Sequence, residues 1–375
     1  MFESSIKLGT IMGIHVRLSR SWILVFGVTA LLMSEYVRME FPAWNPFQRY
    51  LWGLAASLLF FFSVLLHELG HSLAARFFGI RAQSITLHPF GGIAKLAREA
   101  LTPVEEFWIA LSGPGVNLLF GGLLAVLGLL TATTYKGVSF LMHEVSTINF
   151  VFGAFNLLPG FPLDGGRTFR ALIWWLTKDY RKATQYAAVS GQILAALFMM
   201  FGIFFVFEKQ GLGFIWFVMG LYLLSAARTG YEQAELRELL RTITVNDLGW
   251  EELPQVSKTL SLLEFLAQFD FGMRDRSFLV MDGQVIVGVV SLQEARLAHE
   301  QNQLTGEPIP TLADLMTPIE RFERISPQTD LGSVVEKMEY SEVSLLPVVA
   351  NNEFQGFVGR EAITNIVRQR FGHET

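Results

Sequence analysis

The chain has 375 residues, a formal net charge of −5 and no cysteine, and only 17% of its residues are charged against 51% hydrophobic. Soluble proteins have about 25% charged residues, so this composition and a mean hydropathy of +0.39 indicate a membrane protein. The net negative charge argues against a nucleic-acid partner, and the lack of cysteine excludes disulfides, cysteine-ligated metals and a cysteine nucleophile.

Six apolar segments are candidates for crossing the bilayer, which takes about 20 residues each. They are residues 21–37, 51–79, 106–131, 138–158, 186–207 and 212–227. The first is short and the second is long, so five or seven crossings remain alternatives. We predict a polytopic α-helical membrane domain over residues 1–230, followed by a linker over 231–244.

Lysine and arginine are distributed unequally over the flanks of these segments, and this bias predicts orientation. One set of flanks holds twelve basic residues and the opposite set holds four. The twelve are Lys7, Arg17, Arg20, Arg76, Arg81, Lys95, Arg98, Arg167, Arg170, Lys178, Arg181 and Lys182; the four are Arg38, Arg49, Lys136 and Lys209. We therefore expect both termini on the cytoplasmic, or equivalent, side.

Two short segments between the spans have a different character. Ile85, Leu87 and Ile93 lie among strand-forming residues beside Gly91-Gly92, which predicts a short β-hairpin at the membrane with its turn at the glycines. Open strand edges cannot face lipid, so protein must cover the hairpin or it must line a wet cavity. Residues 168–182 predict an interfacial helix, with an ordinary loop helix as the alternative.

Beyond residue 245 the pattern becomes that of a soluble α/β domain with an internal repeat of about 60 residues. Residues 245–305 and 308–372 share the order helix, strand, turn, strand, helix. Asp282-Gly283 and Asn351-Asn352 fall at equivalent hairpin turns. The predicted fold is a membrane helical domain with a small β-hairpin, joined to a tandem α/β domain over residues 245–375.

The second apolar segment contains HELGH, with His67, Glu68 and His71. Histidines four residues apart lie on one face of a helix and can bind one ion. Imidazole suits zinc, which lowers the pKa of its bound water to about 7, and Glu68 could act as general base. Ionisable groups cost several kcal/mol in lipid, which argues against a chance match. A buried charge pair or proton relay is the alternative.

A third ligand is expected from another segment. The sequence NLLPGFPLDGGR ends the fourth span, and Pro159, Gly160 and Pro162 break the helix there, so we expect Asp164 on irregular backbone beside a cavity. The alternative is that Asp164 only caps the following helix. Together with His67 and His71, the ligand interpretation is preferred, with one zinc ion per chain.

HELGH and NLLPGFPLDGG together resemble the motifs of the site-2 protease family, intramembrane zinc metalloproteases. GIHVRLSRSW before the first span, HPFGG in the hairpin and SGPGVN in the third span are similar to that family's flanking patterns, and the resemblance covers residues 8–228. It implies zinc ligands at His67, His71 and Asp164, Glu68 as catalytic base, and cleavage of single-span transmembrane substrates in or near the membrane.

The C-terminal repeat resembles a tandem of cystathionine-β-synthase-type (CBS) domains, which implies a regulatory role and a homodimer. Many such pairs bind adenine nucleotides through a Thr or Ser and an Asp. Here the first repeat offers Ser291 and Glu294, and the second offers Gly359 and Ala362. The aspartate is absent from both, so nucleotide binding is not expected.

Asn156 and Asn117 are candidates for orienting the substrate backbone or the scissile carbonyl, and buried asparagines that bridge helices are the alternative. Two competing functions remain open: a transporter or channel gated by the CBS pair, and a catalytically inactive membrane-binding relative. The presence of Glu68 and all three candidate ligands argues against the inactive relative. A transporter has no need of the Asp164 motif.

Overall fold

The structure, a computed structural model, describes residues 5–88, 91–208, 211–269, 276–305, 309–341, 343–350 and 353–371. The chain divides into two compact units, Met1–Leu236 and Arg237–Thr375. The predicted linker, residues 231–244, spans this division, and it is helical as far as Arg241.

The first unit is built mainly of long helices with a small sheet. Its elements are β1 (Ser5–Ile11), β2 (Ile14–Ser19), α1 (Arg20–Glu40), α2 (Pro46–Phe77), β3 (Ala82–His88), β4 (Gly91–Leu96), α3 (Pro103–Thr131), α4 (Lys136–Asn156), α5 (Asp164–Thr177), α6 (Tyr180–Phe207) and α7 (Leu212–Arg241). Among the described residues, all of these helices except α5 are long and apolar enough to cross a membrane. The prediction of a polytopic helical membrane protein with six spans is confirmed.

Helix α2 begins at a capping box: the Gln48 backbone N–H donates to Asn45 Oδ1 at 2.8 Å, and the Asn45 N–H donates to Gln48 Oε1 at 3.1 Å. These bonds satisfy backbone donors that a helix N-terminus leaves unpaired. The helix has 32 residues, or about 48 Å at 1.5 Å per residue. His67 lies ten residues before its end, about 15 Å along the axis. The histidines therefore lie in the second half of this apolar helix, nearer the end that carries Arg76.

The predicted hairpin is part of a four-stranded sheet in the order β1-β2-β3-β4. Strands β3 and β4 pair antiparallel, whereas β2 pairs parallel with β3, His15 opposite Ser84. Ile14, Leu18, Ile85 and Leu87 of the sheet pack against Val64 and Leu69 of α2, so protein covers this face. The predicted turn position was wrong: Gly91 and Gly92 are the first residues of β4, paired with His88 and Leu87. The two preceding residues of HPFGG lie outside the described residues.

The segment between α4 and α5 is held by close backbone contacts. The Phe161 N–H donates to the Ala187 carbonyl of α6 at 3.2 Å. A β-carbon on Gly191 would lie 2.3 Å from the Phe161 carbonyl oxygen, so only glycine lets α6 approach this closely. Asp164 is the first residue of α5, which corrects the expectation that it lies on irregular backbone.

The helix predicted over 168–182 is two helices: α5 ends at Thr177, and α6 begins at Tyr180. Lys178 has a left-handed conformation with φ 58° between them. Asp179 caps α6, accepting from the Lys182 backbone N–H at 3.0 Å. A left-handed residue stops the helical ladder, so the chain changes direction here.

The second unit contains the repeat. Its elements are α8 (Val245–Leu248), β5 (Gln255–Ser257), α9 (Leu262–Phe269), β6 (Ser277–Asp282), β7 (Val285–Ser291), α10 (Leu292–Thr305), α11 (Leu312–Leu315), β8 (Thr317–Pro318), α12 (Leu331–Ser341), β9 (Leu345–Ala350), β10 (Glu353–Gly359) and α13 (Arg360–Phe371). The order α9-β6-β7-α10 recurs as α12-β9-β10-α13, which confirms the predicted α/β tandem.

Each repeat has its own apolar core. Leu262, Phe265 and Phe278 are fully buried in the first, and Leu331, Val334 and Met338 in the second. Gly283, with φ 64°, follows β6 as the predicted hairpin turn requires. The second predicted turn, at Asn351-Asn352, lies outside the described residues.

Candidate metal centre

His67, His71 and Asp164 converge on one point in the first unit. The Nε2 atoms of the two histidines are 3.1 Å apart, and Asp164 Oδ2 lies 3.1 Å from Nε2 of His67 and 3.2 Å from Nε2 of His71. Both histidines are buried, and the Asp164 side chain is only 13% exposed. The first residue of α5 thus meets two adjacent turns of α2, as the sequence predicts for a three-ligand site.

The ring orientation of His71 is set by a backbone carbonyl. Nδ1 of His71 lies 2.7 Å from the carbonyl oxygen of Ile109 in α3. A carbonyl can only accept, so Nδ1 must carry the proton. In a neutral imidazole the other nitrogen then presents a lone pair. Nε2 of His71 is therefore free to act as a metal ligand, and it faces Asp164 and His67.

A chain of two asparagines sets the orientation of His67. Asn149 Nδ2 donates to the Val145 carbonyl at 2.8 Å, which leaves its Oδ1 to accept from Asn117 Nδ2 at 3.0 Å. Asn117 must then offer Oδ1 to Nδ1 of His67, which it contacts. Nδ1 of His67 is the donor, and its Nε2 presents a lone pair. The Val145 carbonyl thereby fixes the tautomer of His67 through the two asparagines, which are fully buried.

This arrangement fits zinc. Two lone pairs and a carboxylate oxygen facing one another repel unless a cation lies between them. Tetrahedral zinc with bonds of about 2.0–2.1 Å separates its ligand atoms by about 3.3 Å, close to the 3.1–3.2 Å triangle found here. A β-carbon on Gly113 would lie 2.3 Å from Nε2 of His71 and 2.8 Å from Nε2 of His67, so a glycine hydrogen leaves this space open.

Glu68 follows the first histidine and is 9% exposed. Strand β4 runs against it: a β-carbon on Gly92 would lie 2.2 Å from its Cγ and 2.9 Å from its Oε1. Glu68 thus projects from α2 against β4, the strand at the end of the sheet.

The two candidate asparagines differ. Both polar groups of the Asn117 amide are engaged, and its contact with His67 suits an orienting role instead of the predicted substrate contact. Asn156, the last residue of α4, is half-buried, and its side chain makes no hydrogen bond to any described residue. Its amide is available for a substrate backbone.

Sequence reasoning missed Asn149, Gly113 and Gly92 as parts of this site. A polar residue within the fourth apolar segment was the only local signal for Asn149. SGPGVN is predicted only as a flanking pattern, and the closeness of Gly113 to the imidazoles depends on how α3 crosses α2.

Replacing Asn117 with alanine is expected to weaken zinc binding by about 10–100-fold, as losing a partner of a metal-bound histidine commonly does. Chelator competition on the purified chain measures the affinity. Asn156→Ala is the matched control and should bind zinc like the wild type. Equal losses in both variants would contradict the orienting role.

Comparison with known proteins agrees with this arrangement. Residues 55–137 and 131–201 match the sequence profile of Peptidase family M50. Residues 312–368 match the CBS domain, which covers the second repeat.

Relatives span nearly the whole chain. A candidate zinc metalloprotease of Synechocystis sp., sll0528, is 29% identical over 366 residues, 96% of this chain and 95% of its own length. Zinc metalloprotease MJ0392 of Methanocaldococcus jannaschii is 28% identical over 368 residues, 97% of this chain and 95% of its own. The solved site-2 protease from Methanocaldococcus jannaschii has 29% identity and a TM-score of 0.42, covering 61% of this chain and 95% of that structure.

Proposed function

We propose that this chain, a member of peptidase family M50 and an integral membrane zinc metalloprotease, cleaves single-span transmembrane proteins within the bilayer. The observation that carries the proposal is the triangle of ligand atoms from His67, His71 and Asp164 beside a buried glutamate. A peptidase that only met soluble substrates would have no need of this site at membrane depth.

His67, His71 and Asp164 would hold the zinc ion. When bound, zinc supplies Lewis-acid chemistry that activates a water molecule and polarises the scissile carbonyl. Glu68 takes the proton from the attacking water and delivers it to the leaving amine nitrogen. Close packing of Gly92 in β4 holds the Glu68 side chain for this transfer, and Asn156 orients the substrate backbone.

The substrate must be extended before it can be cut, because a helix keeps its peptide bonds in internal hydrogen bonds. Strand β4 is at the end of the order β1-β2-β3-β4, so its outer side pairs with no other described strand. A substrate segment adding to β4 would satisfy its own backbone groups and run past Glu68. The sheet therefore both unwinds and aligns the substrate in this proposal.

The orientation is a further part of the proposal. The excess of basic residues on one set of flanks supports an orientation with both termini and the CBS pair on the cytoplasmic, or equivalent, side. By helical rise, His67 lies about 15 Å and His71 about 9 Å from the cytoplasmic end of α2. Cleavage is accordingly proposed in the cytoplasmic half of the substrate span.

The CBS pair is proposed as a regulatory domain that binds no nucleotide through Ser291 and Glu294 or through Gly359 and Ala362. In the first repeat, Ser291 Oγ donates to Glu294 Oε2 at 2.9 Å and accepts from the Glu294 backbone N–H at 3.1 Å. Ser291 and Glu294 are therefore occupied in capping α10. Gly359 offers no hydroxyl in the second repeat.

The proposal predicts internal cleavage of a membrane-spanning peptide. Purified full-length chain is reconstituted with labelled single-span substrates carrying a Gly-Pro pair at different depths, and the products are weighed by mass spectrometry. We expect cuts in the cytoplasmic half, only in substrates with the helix-breaking pair there, and inhibition by a zinc chelator.

The same vesicles separate this function from a transporter. His71→Ala is the control that should yield no products. Cleavage confined to soluble loops, or solute flux without any peptide product in the wild type, would contradict the proposal.

A further inference from the structure

A second buried ionic contact lies in the membrane unit, apart from the histidines. Glu106 of α3 and Arg170 of α5 form an ion pair, with Arg170 Nε donating to Glu106 Oε1 at 2.7 Å and Nη2 contacting the same oxygen. Their side chains are 2% and 12% exposed. Neither residue belongs to the motifs that the sequence indicated.

Arg170 is also held between two rings. Its guanidinium carbon lies 4.9 Å from the ring centres of both Phe161 and Tyr180. Phe161 belongs to the segment that precedes Asp164, and Tyr180 begins α6. The single side chain of Arg170 thus joins four parts of the fold: α3, α5, the segment before α5, and α6.

Stability does not account for this pair. Taking two charges out of water costs as much as their attraction returns, and well-packed apolar side chains often replace a buried pair without loss. Here the compensation is incomplete, because Glu106 Oε2 is buried with no hydrogen-bond partner among the described residues. Two guanidinium donors on one carboxylate oxygen restrict how α5 lies against α3, which apolar packing does not.

The pair joins the two helices that determine the metal triangle. Helix α3 orients both imidazoles, through the Ile109 carbonyl to His71 and through Asn117 to His67. Glu106 lies less than one turn before Ile109. Helix α5 begins with the third ligand, Asp164, and Arg170 lies six residues further along it.

The start of α5 packs closely against the backbone of the segment that precedes it. A β-carbon on Gly165 would lie 2.3 Å from the Leu157 carbonyl, and one on Gly166 would lie 2.4 Å from the Gly160 carbonyl carbon. The start of α5 can therefore not move closer to the backbone of residues 157–160. Its rotation about its own axis and its shift along α3 are left to be determined by other contacts. An ion pair of fixed geometry on the side facing α3 sets both.

We propose that Glu106 and Arg170 are positioning residues that set where the Asp164 carboxylate meets the histidine nitrogens, and hence the zinc affinity. The proposal rests on the metal centre proposed above. Neither residue is one of the three candidate ligands.

The test compares zinc affinity with thermal stability in the full-length chain in detergent. Glu106→Gln is expected to weaken zinc binding by about 10–100-fold in chelator competition, the usual loss when metal ligands lose their supports. The double variant Glu106→Leu with Arg170→Met removes both charges. Without metal, the double variant is expected to melt at the same temperature as the metal-free wild type. Its zinc affinity is expected to stay as low as that of Glu106→Gln.

Two controls separate positioning from general destabilisation. Gly202→Ala disturbs α6 where a β-carbon would lie 2.4 Å from the Phe217 backbone nitrogen, and Glu235→Gln breaks the exposed 2.9 Å pair with Arg181. Both should keep wild-type zinc affinity, even where Gly202→Ala lowers the melting temperature as much as Glu106→Gln does.

Three outcomes would overturn the proposal: wild-type affinity in Glu106→Gln, wild-type affinity in the double variant, or an affinity that follows the melting temperature through all the variants. If the double variant does not fold, the comparison of zinc affinity and melting temperature between Glu106→Gln and Gly202→Ala tests the proposal. A wild-type chain without zinc, or zinc binding that survives His71→Ala, would instead overturn the metal centre.

Discussion

Glu68→Gln is expected to lower the rate of peptide cleavage by at least about 10²–10⁴-fold, the usual contribution of a general base, with zinc content unchanged. Glutamine has nearly the same shape and fits the same space against Gly92. It cannot take a proton from water. Cleavage of a reconstituted single-span substrate and elemental analysis of the same preparation measure the two quantities.

The comparison with Glu68→Asp makes this prediction sharper. Aspartate keeps the charge but shortens the reach, so some cleavage should return relative to glutamine. A Glu68→Gln variant that cleaves at the wild-type rate would assign the base elsewhere. A variant that loses its zinc would make Glu68 a ligand.

Gly113→Ala is expected to remove zinc, with an affinity loss of more than about 100-fold, beyond what the loss of an outer hydrogen bond causes. The added methyl group would lie 2.3 Å and 2.8 Å from the Nε2 atoms of His71 and His67, in the space between the ligand atoms. Elemental analysis and chelator competition measure the loss. Cleavage should disappear with the metal.

Gly115→Ala is the matched control, because it lies two residues away in α3 and a β-carbon there meets nothing within 4 Å. It should retain zinc and activity, since alanine favours a helix slightly over glycine. Equal zinc content in Gly113→Ala and the wild type would show that the ion does not lie between these nitrogens.

The spans could be predicted because lipid demands about 20 apolar residues from any crossing helix. The ends of the helices could not be predicted, because hydropathy indicates how many residues are apolar enough for lipid and not where the helix itself ends. The sixth segment was predicted to stop at residue 227, where polar residues begin, whereas α7 continues to Arg241. The strands β1 and β2 were missed because β2 pairs with β3 nearly 70 residues away, a contact that no local pattern carries.

The chemistry of the site was predictable where it is local. The spacing of His67 and His71 follows from helical geometry, and Asp164 lies in a distinct Pro- and Gly-rich motif. What surrounds them was not predictable. Asn149, Gly113 and the Glu106–Arg170 pair have their roles only because α3 packs against α2, α4 and α5 at particular places.

X-ray absorption at the zinc K edge of the purified chain tests the metal assignment most directly. We predict one zinc per chain with two imidazole nitrogens and oxygen ligands at about 2.0–2.1 Å, and loss of imidazole scattering in His71→Ala. A chain that holds no zinc, or a first shell without imidazole, would contradict the assignment of His67, His71 and Asp164 as ligands.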